Sequence, residues 1–452
     1  MLRFALHPIL LLASLFLSGC HAPSSRIIDH LVIGEVMINS QFKENLRSLC
    51  LDGGRLSGTD NCRQAERFIA GKLREYGLRN VHLEQFEMPG WQVNRTAVAT
   101  LTDPPLVMVN AVALWNSKST PPGGLVAELI DVGNGAEEDF AKLGDAVRGK
   151  FALVREGGPR RGAKMLNALK HEAVGLIIAG RPDREPIIGG CHMQPADQPG
   201  IAIRHDDGAK LAALLEDEQT VLLKVEIQAD VWDAKPHNVI GDIPGRGPLA
   251  DEIVILGAHL DSWHLAEGAI DNGAGAATIL ETARALAAID WRPRRTVRFI
   301  WFTGEEQGLF GSRAYVADHA PLLDRIVTMV NVDMPGGPTR LARFGHPEIE
   351  SFLNSILARL RGYDLDEKIG DYKNGAWSDH APFANAGLCA LTLSGDLGDG
   401  GINYHTLNDK YDCVDRRKSI HSAAVLGLLM RNLADAPLRA GRRLTVEATS
   451  GK

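Results

Sequence analysis

Reactive cysteine, basic clusters and long apolar runs are scarce in this sequence. None of its six cysteines stands in a context typical of a thiol protease, so nucleophilic cysteine chemistry is not expected. Lys and Arg number 49 against 56 Asp and Glu, with no basic block, which argues against a nucleic-acid partner. After the first 20 residues, no stretch is long and apolar enough for a transmembrane helix. The chain is mildly acidic, and its 452 residues are enough for two or three domains, each with its own core.

The first 20 residues have the pattern of an export signal. Arg3 supplies positive charge, Ile9 to Leu17 form an apolar segment too short to span a membrane, and the sequence LSGC ends at Cys20. This pattern resembles a bacterial lipoprotein signal, in which Cys20 becomes the lipidated first residue. An ordinary secretory signal with an incidental cysteine is the alternative. We therefore expect an exported protein, anchored by lipid to a membrane of the bacterial cell envelope and facing the periplasm or the exterior, with residues 21–25 as a short tether.

The rest of the chain divides by composition into a main domain and an insert. Apolar residues at helical spacing, followed by strand-like segments, predict the N-terminal part of the main domain over residues 26–102. Residues 103–229 contain short strands such as LVAELIDV and AVGLIIA but no candidate metal site, which indicates a β-rich insert. The main domain resumes over residues 230–435, and residues 436–452 form a polar, basic tail.

Several apolar strands end directly before polar side chains. These side chains are His259, Asp261, Glu305, Glu306 and Asp333. Asp271 precedes a helix-forming segment of small residues, and His405 lies in a loop after a further apolar run. Any one of them alone would more often be a solvated loop group or a satisfied histidine. Their recurrence at strand ends favours a ligand site at the carboxyl edge of an open α/β sheet.

The donor types of these residues indicate zinc. Two histidines and several carboxylates, with no cysteine, form the nitrogen and oxygen set that zinc hydrolases use. If Asp271 bridges two ions, His259 and Asp333 can complete one site, and Glu306 and His405 can complete the other. Three carboxylates and a hydroxide then balance two divalent ions. Glu305 is left beside the water, where a general base belongs.

Six segments resemble the motif series of a known enzyme family. The segments HLDSW, AIDNGAGA, TGEEQGLFGS, NVDMPG, SDHAPF and YHTLND resemble, in order and spacing, those of the di-zinc exopeptidases that include bacterial leucyl aminopeptidases, glutamate carboxypeptidase and carboxypeptidase Q. The resemblance covers roughly the last half of the chain. It implies an α/β fold with a mixed, mostly parallel sheet flanked by helices. The segments HEAVGLIIAG and PGIAIRHDDGAKL resemble a protease-associated domain inserted at 103–229.

The resemblance also implies roles for individual residues. It gives Glu305 as the base, Asp261 as the group that orients the first histidine, and Tyr404 as a stabiliser of the tetrahedral intermediate. It places Asp379 and His380 at the pocket, and it implies a cis peptide bond between Asp271 and Asn272. The implied ligands of two zinc ions are His259, Asp271, Glu306, Asp333 and His405.

The expected activity is hydrolysis of terminal peptide bonds, with HLDSW favouring short peptides or dipeptides as substrates. Three alternatives stay open: an acyl transferase like the glutaminyl cyclases, a non-catalytic binding protein like the transferrin receptor, and an unrelated surface-binding lipoprotein. The sequence leaves open which end of the peptide is recognised. It also leaves open whether Arg55, in the glycine-rich loop GGRLSGT, faces the cleft or belongs to a structural turn, and whether Cys50 and Cys62 form a disulfide.

Overall fold

The computed structural model describes residues 25–102, 105–191, 197–217, 219–289, 291–336, 340–359, 369–371, 378–395, 397–439 and 445–446. Cys20 and the predicted export signal lie outside the described residues, as does all of the predicted tether except Ser25.

The described residues form helices and strands with the following bounds. The helices are α1 (Ser25–Asn39), α2 (Phe42–Leu49), α3 (Asp60–Glu75), α4 (Glu137–Leu143), α5 (Arg161–Lys170), α6 (His205–Glu216), α7 (Ala274–Ala288), α8 (Phe310–Asp318), α9 (Glu350–Arg359), α10 (His380–Asn385) and α11 (Arg416–Ala434). The strands are β1 (Arg79–Gln85), β2 (Met88–Thr100), β3 (Val112–Ala113), β4 (Leu125–Asp131), β5 (Phe151–Arg155), β6 (Gly175–Ala179), β7 (Gly200–Ile203), β8 (Leu222–Ala234), β9 (His237–Ile243), β10 (Ile253–His259), β11 (Thr296–Phe302), β12 (Ile326–Val332), β13 (Arg340–Phe344), β14 (Gly370–Asp371), β15 (Ala390–Ser394), β16 (Leu438–Arg439) and β17 (Thr445–Val446).

The main domain is built on a mixed sheet. Within the described residues this sheet has eight strands in the order β1-β9-β11-β10-β12-β15-β13-β14. Its central strands β11, β10, β12 and β15 run parallel, while β9 and β13 run antiparallel to their inner neighbours. The predicted mixed, mostly parallel sheet is therefore confirmed.

Helices cover both faces of this sheet because its central strands are apolar on both sides. Along β10, Val254 and Leu256 pack into the core beneath α2, α3, α7 and α11, whereas Ile253 and Ile255 pack into the core beneath α8 and α10. Successive side chains of a strand point to opposite faces, so a strand buried on both faces is a continuous apolar run rather than an alternating one. Every residue of β10 is buried.

The insert forms a second sheet with its own core. In the described part of the chain this sheet has seven strands in the order β2-β8-β4-β5-β6-β7-β3, and the helices α4, α5 and α6 belong to the same segment. The long strands β2 and β8 pair along their whole length. The sheet therefore begins at Met88 and ends at Ala234, and it extends beyond both ends of the predicted range 103–229.

Among the described residues, no helix combines the length and the apolar character needed to cross a membrane.

Candidate metal centre and catalytic cleft

The predicted site residues meet at the carboxyl edge of the parallel strands. Strand β10 lies between β11 and β12 and runs parallel to both, so the three carboxyl ends are neighbours. His259 is the last residue of β10, Asp333 directly follows β12, and Glu305 and Glu306 follow β11 after a short turn. Asp271 reaches the same edge from the irregular turn that precedes α7.

Two histidines contact opposite oxygens of one carboxylate. Nε2 of His259 lies 3.1 Å from Oδ1 of Asp271, and Nε2 of His405 lies 2.9 Å from its Oδ2. His259 Nε2 is also 3.3 Å from an oxygen of Asp333. His405 Nε2 is 3.2 Å from an oxygen of Glu306. The result is two groups of possible ligands that share Asp271, one with His259 and Asp333 and the other with Glu306 and His405.

These residues fit zinc. In each group the ligand atoms lie within 4.8 Å of one another, and they combine one imidazole nitrogen with two carboxylates. The second oxygen of Glu306, Oε1, is buried without a hydrogen-bond partner among the described residues, so it is available to bind a cation. Buried carboxylates this close together repel each other unless a positive charge lies among them.

The site electrostatics show the same crowding. Burial acts against the charge of His259, but the carboxylates of Asp333 and Glu305 raise its pKa well above the usual value. Burial and neighbouring carboxylates also raise the pKa of Glu305 and of Glu306 well above the ordinary range. Burial opposes the charge of Asp271, yet the two histidines lower its pKa. The cluster therefore holds more negative charge than its own imidazoles can neutralise.

The contacts of Asp261 differ in detail from the predicted orienting role. The Nδ1 atom of His259 is 3.1 Å from the main-chain oxygen of Asp261 and 3.8 Å from its carboxylate. A carbonyl oxygen only accepts, so Nδ1 carries the proton and Nε2 presents its lone pair to the site. The carboxylate of Asp261 instead accepts from the backbone N–H groups of Glu305 and Glu306, each at 3.3 Å. Asp261 thus links His259 to the turn that carries both glutamates.

Two residues whose side chains had no predicted role in the site fix Asp271. The carboxylate of Asp409 accepts from the backbone N–H groups of Ile270 and Asp271, at 2.6 and 3.1 Å. The side chain of Asn272 donates to the carbonyl of Val332 at 2.9 Å, which ties the turn to the end of β12. The peptide bond between Asp271 and Asn272 is cis, which confirms the implied geometry. The position of Asp409, four residues after His405 in the same loop, was the only available signal for its role.

Arg55 belongs to a structural turn and not to the cleft. Its side chain is fully buried and donates to the main-chain oxygens of Leu49, Leu260, Glu267 and Gly268 at 2.6 to 2.8 Å. It therefore joins the glycine-rich loop to the end of α2 and to the loop between His259 and Asp271. Cys50 and Cys62 are both free thiols.

The cleft beside the metal centre has a volume of about 250 Å³, and only some of the predicted site residues line it. Glu305, Tyr404 and His380 line it, and burial lowers the pKa of His380 to about 4. Asp379 is fully buried near the cleft, and burial raises its pKa to about 7. The cleft is lined by Asp271, Glu305, Glu306, Asp333, Met334, Phe344, Ser378, His380, Thr392, Ser394 and Tyr404.

The insert also carries a cation whose charge acts on groups of this cleft. Burial lowers the pKa of Arg161, the first residue of α5, and the charges of Tyr404 and Glu306 oppose that shift. Burial lowers the pKa of His405, and the charge of Arg161 lowers it further. Among the described residues, no salt bridge pairs Arg161 with a carboxylate, although its Nε lies 3.4 Å from the main-chain oxygen of Gly190. No sequence pattern pointed to Arg161, because the insert is remote from the catalytic motifs along the chain.

Comparisons with known proteins follow the same division into two parts. Residues 238–430 match the model of peptidase family M28, and residues 106–211 match the model of the PA domain. Carboxypeptidase Q of Mus musculus is 25% identical over 399 residues, which cover 85% of this chain and 83% of that protein. Aminopeptidase YwaD of Bacillus subtilis (strain 168) is 29% identical over 381 residues, covering 81% and 78% of the two chains. The crystal structure of a peptidase M28 precursor from Shewanella amazonensis SB2B superimposes with a TM-score of 0.81 at 24% identity, covering 92% of this chain and 99% of that one.

Proposed function

The chain is a metallo-exopeptidase of peptidase family M28 with an inserted PA domain, and on that premise we propose that it hydrolyses terminal peptide bonds of dipeptides and other short peptides with the help of two zinc ions. The observation that carries this proposal is the pair of ligand groups that share Asp271. A single-zinc site, as in the glutaminyl-cyclase alternative, would need only one of them.

Five residues would hold the two ions. His259 and Asp333 belong to one group, Glu306 and His405 belong to the other, and Asp271 is common to both. When bound, zinc polarises a scissile carbonyl and lowers the pKa of a water molecule, so that hydrolysis can proceed near neutral pH.

The remaining chemistry belongs to side chains of the cleft. Glu305 lines the cleft without belonging to either ligand group, so its carboxylate is free to take a proton from the attacking water and pass it to the leaving amine. Tyr404 lines the same cleft, and its hydroxyl can donate a hydrogen bond to the oxyanion that forms during attack. Asp261 keeps Glu305 and Glu306 in place through their backbone N–H groups.

Arg161 favours recognition of the free carboxylate end of the substrate. A carboxypeptidase or a dipeptidase needs a cation near the substrate carboxylate, whereas an aminopeptidase needs an acidic group near the amine. The charges of Tyr404 and Glu306 act on Arg161, and among the described residues no salt bridge pairs its guanidinium with a carboxylate. A bound substrate carboxylate would supply the missing partner. Carboxypeptidase Q is among the relatives, although an aminopeptidase is as well.

A substrate screen tests this function. The enzyme with zinc added is assayed on a set of dipeptides, on the same dipeptides with an acetylated amine, and on the same dipeptides with an amidated carboxyl group. We expect hydrolysis of the free and the acetylated dipeptides and little hydrolysis of the amidated ones. Activity that survives amidation but is lost on acetylation would assign the enzyme to the aminopeptidases instead.

We also propose that Cys20 carries a lipid that anchors the enzyme to a membrane of the cell envelope. The support is the LSGC sequence at the end of an apolar segment. Labelling of the protein with radioactive palmitate in a bacterial host, lost in Cys20→Ala, is the expected result. Export without labelling would indicate that the first 20 residues are an ordinary secretory signal with an incidental cysteine.

A further inference from the structure

One segment of the insert lies directly against the loop that carries two of the proposed site residues. The backbone N–H of Ile188 donates to the main-chain oxygen of His405 at 2.8 Å, and Ile187 forms an antiparallel bridge with Thr406. The guanidinium of Arg184 donates through Nη2 to the main-chain oxygen of Tyr404. The insert therefore holds the peptide groups on both sides of His405.

The backbone of His405 needs such support. Its φ is 54°, in the left-handed region that residues with a Cβ rarely adopt. A conformation of this kind persists only where the surroundings hold it. The carbonyl oxygens of Tyr404 and of His405 itself both accept hydrogen bonds from the insert.

Arg184 is itself fixed by a buried carboxylate of the insert. Glu156 directly follows β5, and its side chain is only 8% exposed. Its Oε1 lies 3.5 Å from Nη1 of Arg184, whose side chain is 13% exposed, and 3.1 Å from Nε of Arg181, whose side chain is 60% exposed. Arg184 therefore joins a rigid strand end to the backbone of Tyr404, whereas Arg181 pairs with the same carboxylate from the surface.

We propose that Arg184 is a positioning residue, through which the insert holds Tyr404 over the cleft and His405 at the metal centre. This inference rests on the proposed function, because it concerns the two residues assigned there to the oxyanion and to zinc. It gives the insert a part in catalysis that does not depend on contact with substrate. A misplacement of catalytic groups by about 1 Å can lower a rate about 100-fold.

The first experiment compares Arg184→Met with Arg181→Met in the full-length, zinc-loaded enzyme. Each variant removes one ion pair with Glu156, but only the first removes the contact with Tyr404. We expect Arg184→Met to lower kcat by about 10- to 100-fold with KM within about threefold of wild type. Arg181→Met should leave both constants unchanged. Wild-type kcat in Arg184→Met, or an equal loss in both variants, would overturn the proposal.

The second experiment is a double-mutant cycle with Tyr404→Phe. If Arg184 acts by holding Tyr404, the double variant is about as slow as the slower single variant, because the two changes damage the same interaction. A residue that only stabilises the fold would instead give multiplied losses, and that outcome contradicts the proposal.

Two further variants keep the test decisive. If Arg184→Met does not fold, Arg184→Lys should fold and show an intermediate loss of kcat, because a lysine cannot span Glu156 and the Tyr404 carbonyl as a guanidinium does. Wild-type kcat in Arg184→Lys, together with an unfolded Arg184→Met, would leave Arg184 a purely structural residue and overturn the proposal. Glu305→Gln reports on the proposed function alone, since it does not touch the insert.

Discussion

Glu305 and Glu306 are adjacent in the chain and their backbone N–H groups bond to the same carboxylate of Asp261, yet only Glu306 belongs to a ligand group. Both line the cleft. Two glutamates that leave one strand end in different directions can therefore perform different tasks.

Exchange of each glutamate for glutamine should separate these tasks. We expect Glu305→Gln to keep its full zinc content while kcat falls by about 10²- to 10⁴-fold, the range typical for loss of a general base. Glu306→Gln should bind less zinc, because an amide is a poorer zinc ligand than a carboxylate. Zinc is measured by atomic absorption and kcat with a dipeptide substrate. Near-normal turnover in Glu305→Gln would remove this residue from the role of base.

Because Asp271 belongs to both ligand groups, its exchange for asparagine should lower the zinc content more than the same exchange at Asp333. Asp271→Asn should lose both zinc ions, because Asp271 belongs to both ligand groups, whereas Asp333→Asn should lose one. Equilibrium dialysis against zinc gives the stoichiometry for each variant and for wild type, for which we expect two ions per chain. A wild-type stoichiometry of one would favour the cyclase-like alternative.

Arg161 should control the affinity for a free carboxylate. We expect Arg161→Met to raise KM for an unblocked dipeptide by about 10- to 100-fold, the effect of losing a charge-assisted hydrogen bond, with little change for the amidated substrate. The exposed neighbour Arg160, changed to Met, is the matched control. Equal effects on free and amidated substrates would show that Arg161 does not read the carboxylate.

We expect the buried His264 to lower the free energy of unfolding as the pH falls. Burial lowers its pKa to about 4, its Nε2 lies 3.0 Å from the main-chain oxygen of Ala113 in the insert, and its ring packs against Trp91. Between that pKa and the unfolded value of about 6.5, the unfolded chain binds a proton that the folded chain does not. The folded state with a neutral His264 is therefore fully stable above about pH 6.5, and it loses stability relative to the unfolded state as the pH falls towards 4.

Urea unfolding at pH 7, 6 and 5 measures this loss, which has a slope of at most about 1.4 kcal/mol per pH unit from this one group. His264→Gln keeps a donor for the Ala113 carbonyl but does not titrate, so its free energy of unfolding should fall less over the same range. Identical pH dependence in both proteins would exclude His264 as the cause.

Arg55 should affect stability. Its guanidinium satisfies four main-chain carbonyls, and each buried carbonyl left without a donor costs about 1–3 kcal/mol. Arg55→Met should therefore lower the free energy of unfolding by at least about 3 kcal/mol, measured by urea unfolding. Arg67→Met, on the exposed face of α3, is the control and should change it by less than about 0.5 kcal/mol.

The sequence by itself determined the parallel strands of the catalytic sheet and the edge at which the site lies. The apolar run that ends directly before Asp333 predicts a strand there, and β12 ends at Val332 in the structure. A strand buried on both faces must be a continuous apolar run, and a polar residue directly after such a run must lie at the sheet edge. That is why His259 and Asp333 could be placed from the sequence alone. The cis bond after Asp271 followed from the family resemblance and is present.

Only the tertiary structure decided which residues beyond the predicted ligands support the site at that edge. Arg55 could equally have faced the cleft, because a glycine-rich loop has no periodicity that fixes the direction of a side chain. Arg161 and Arg184 lie in an insert with no catalytic motif, and their proximity to Tyr404 depends on how two separate sheets pack together. Spacing along a chain carries no information about such contacts, since they arise between two domains that form separate sheets in the described part of the chain.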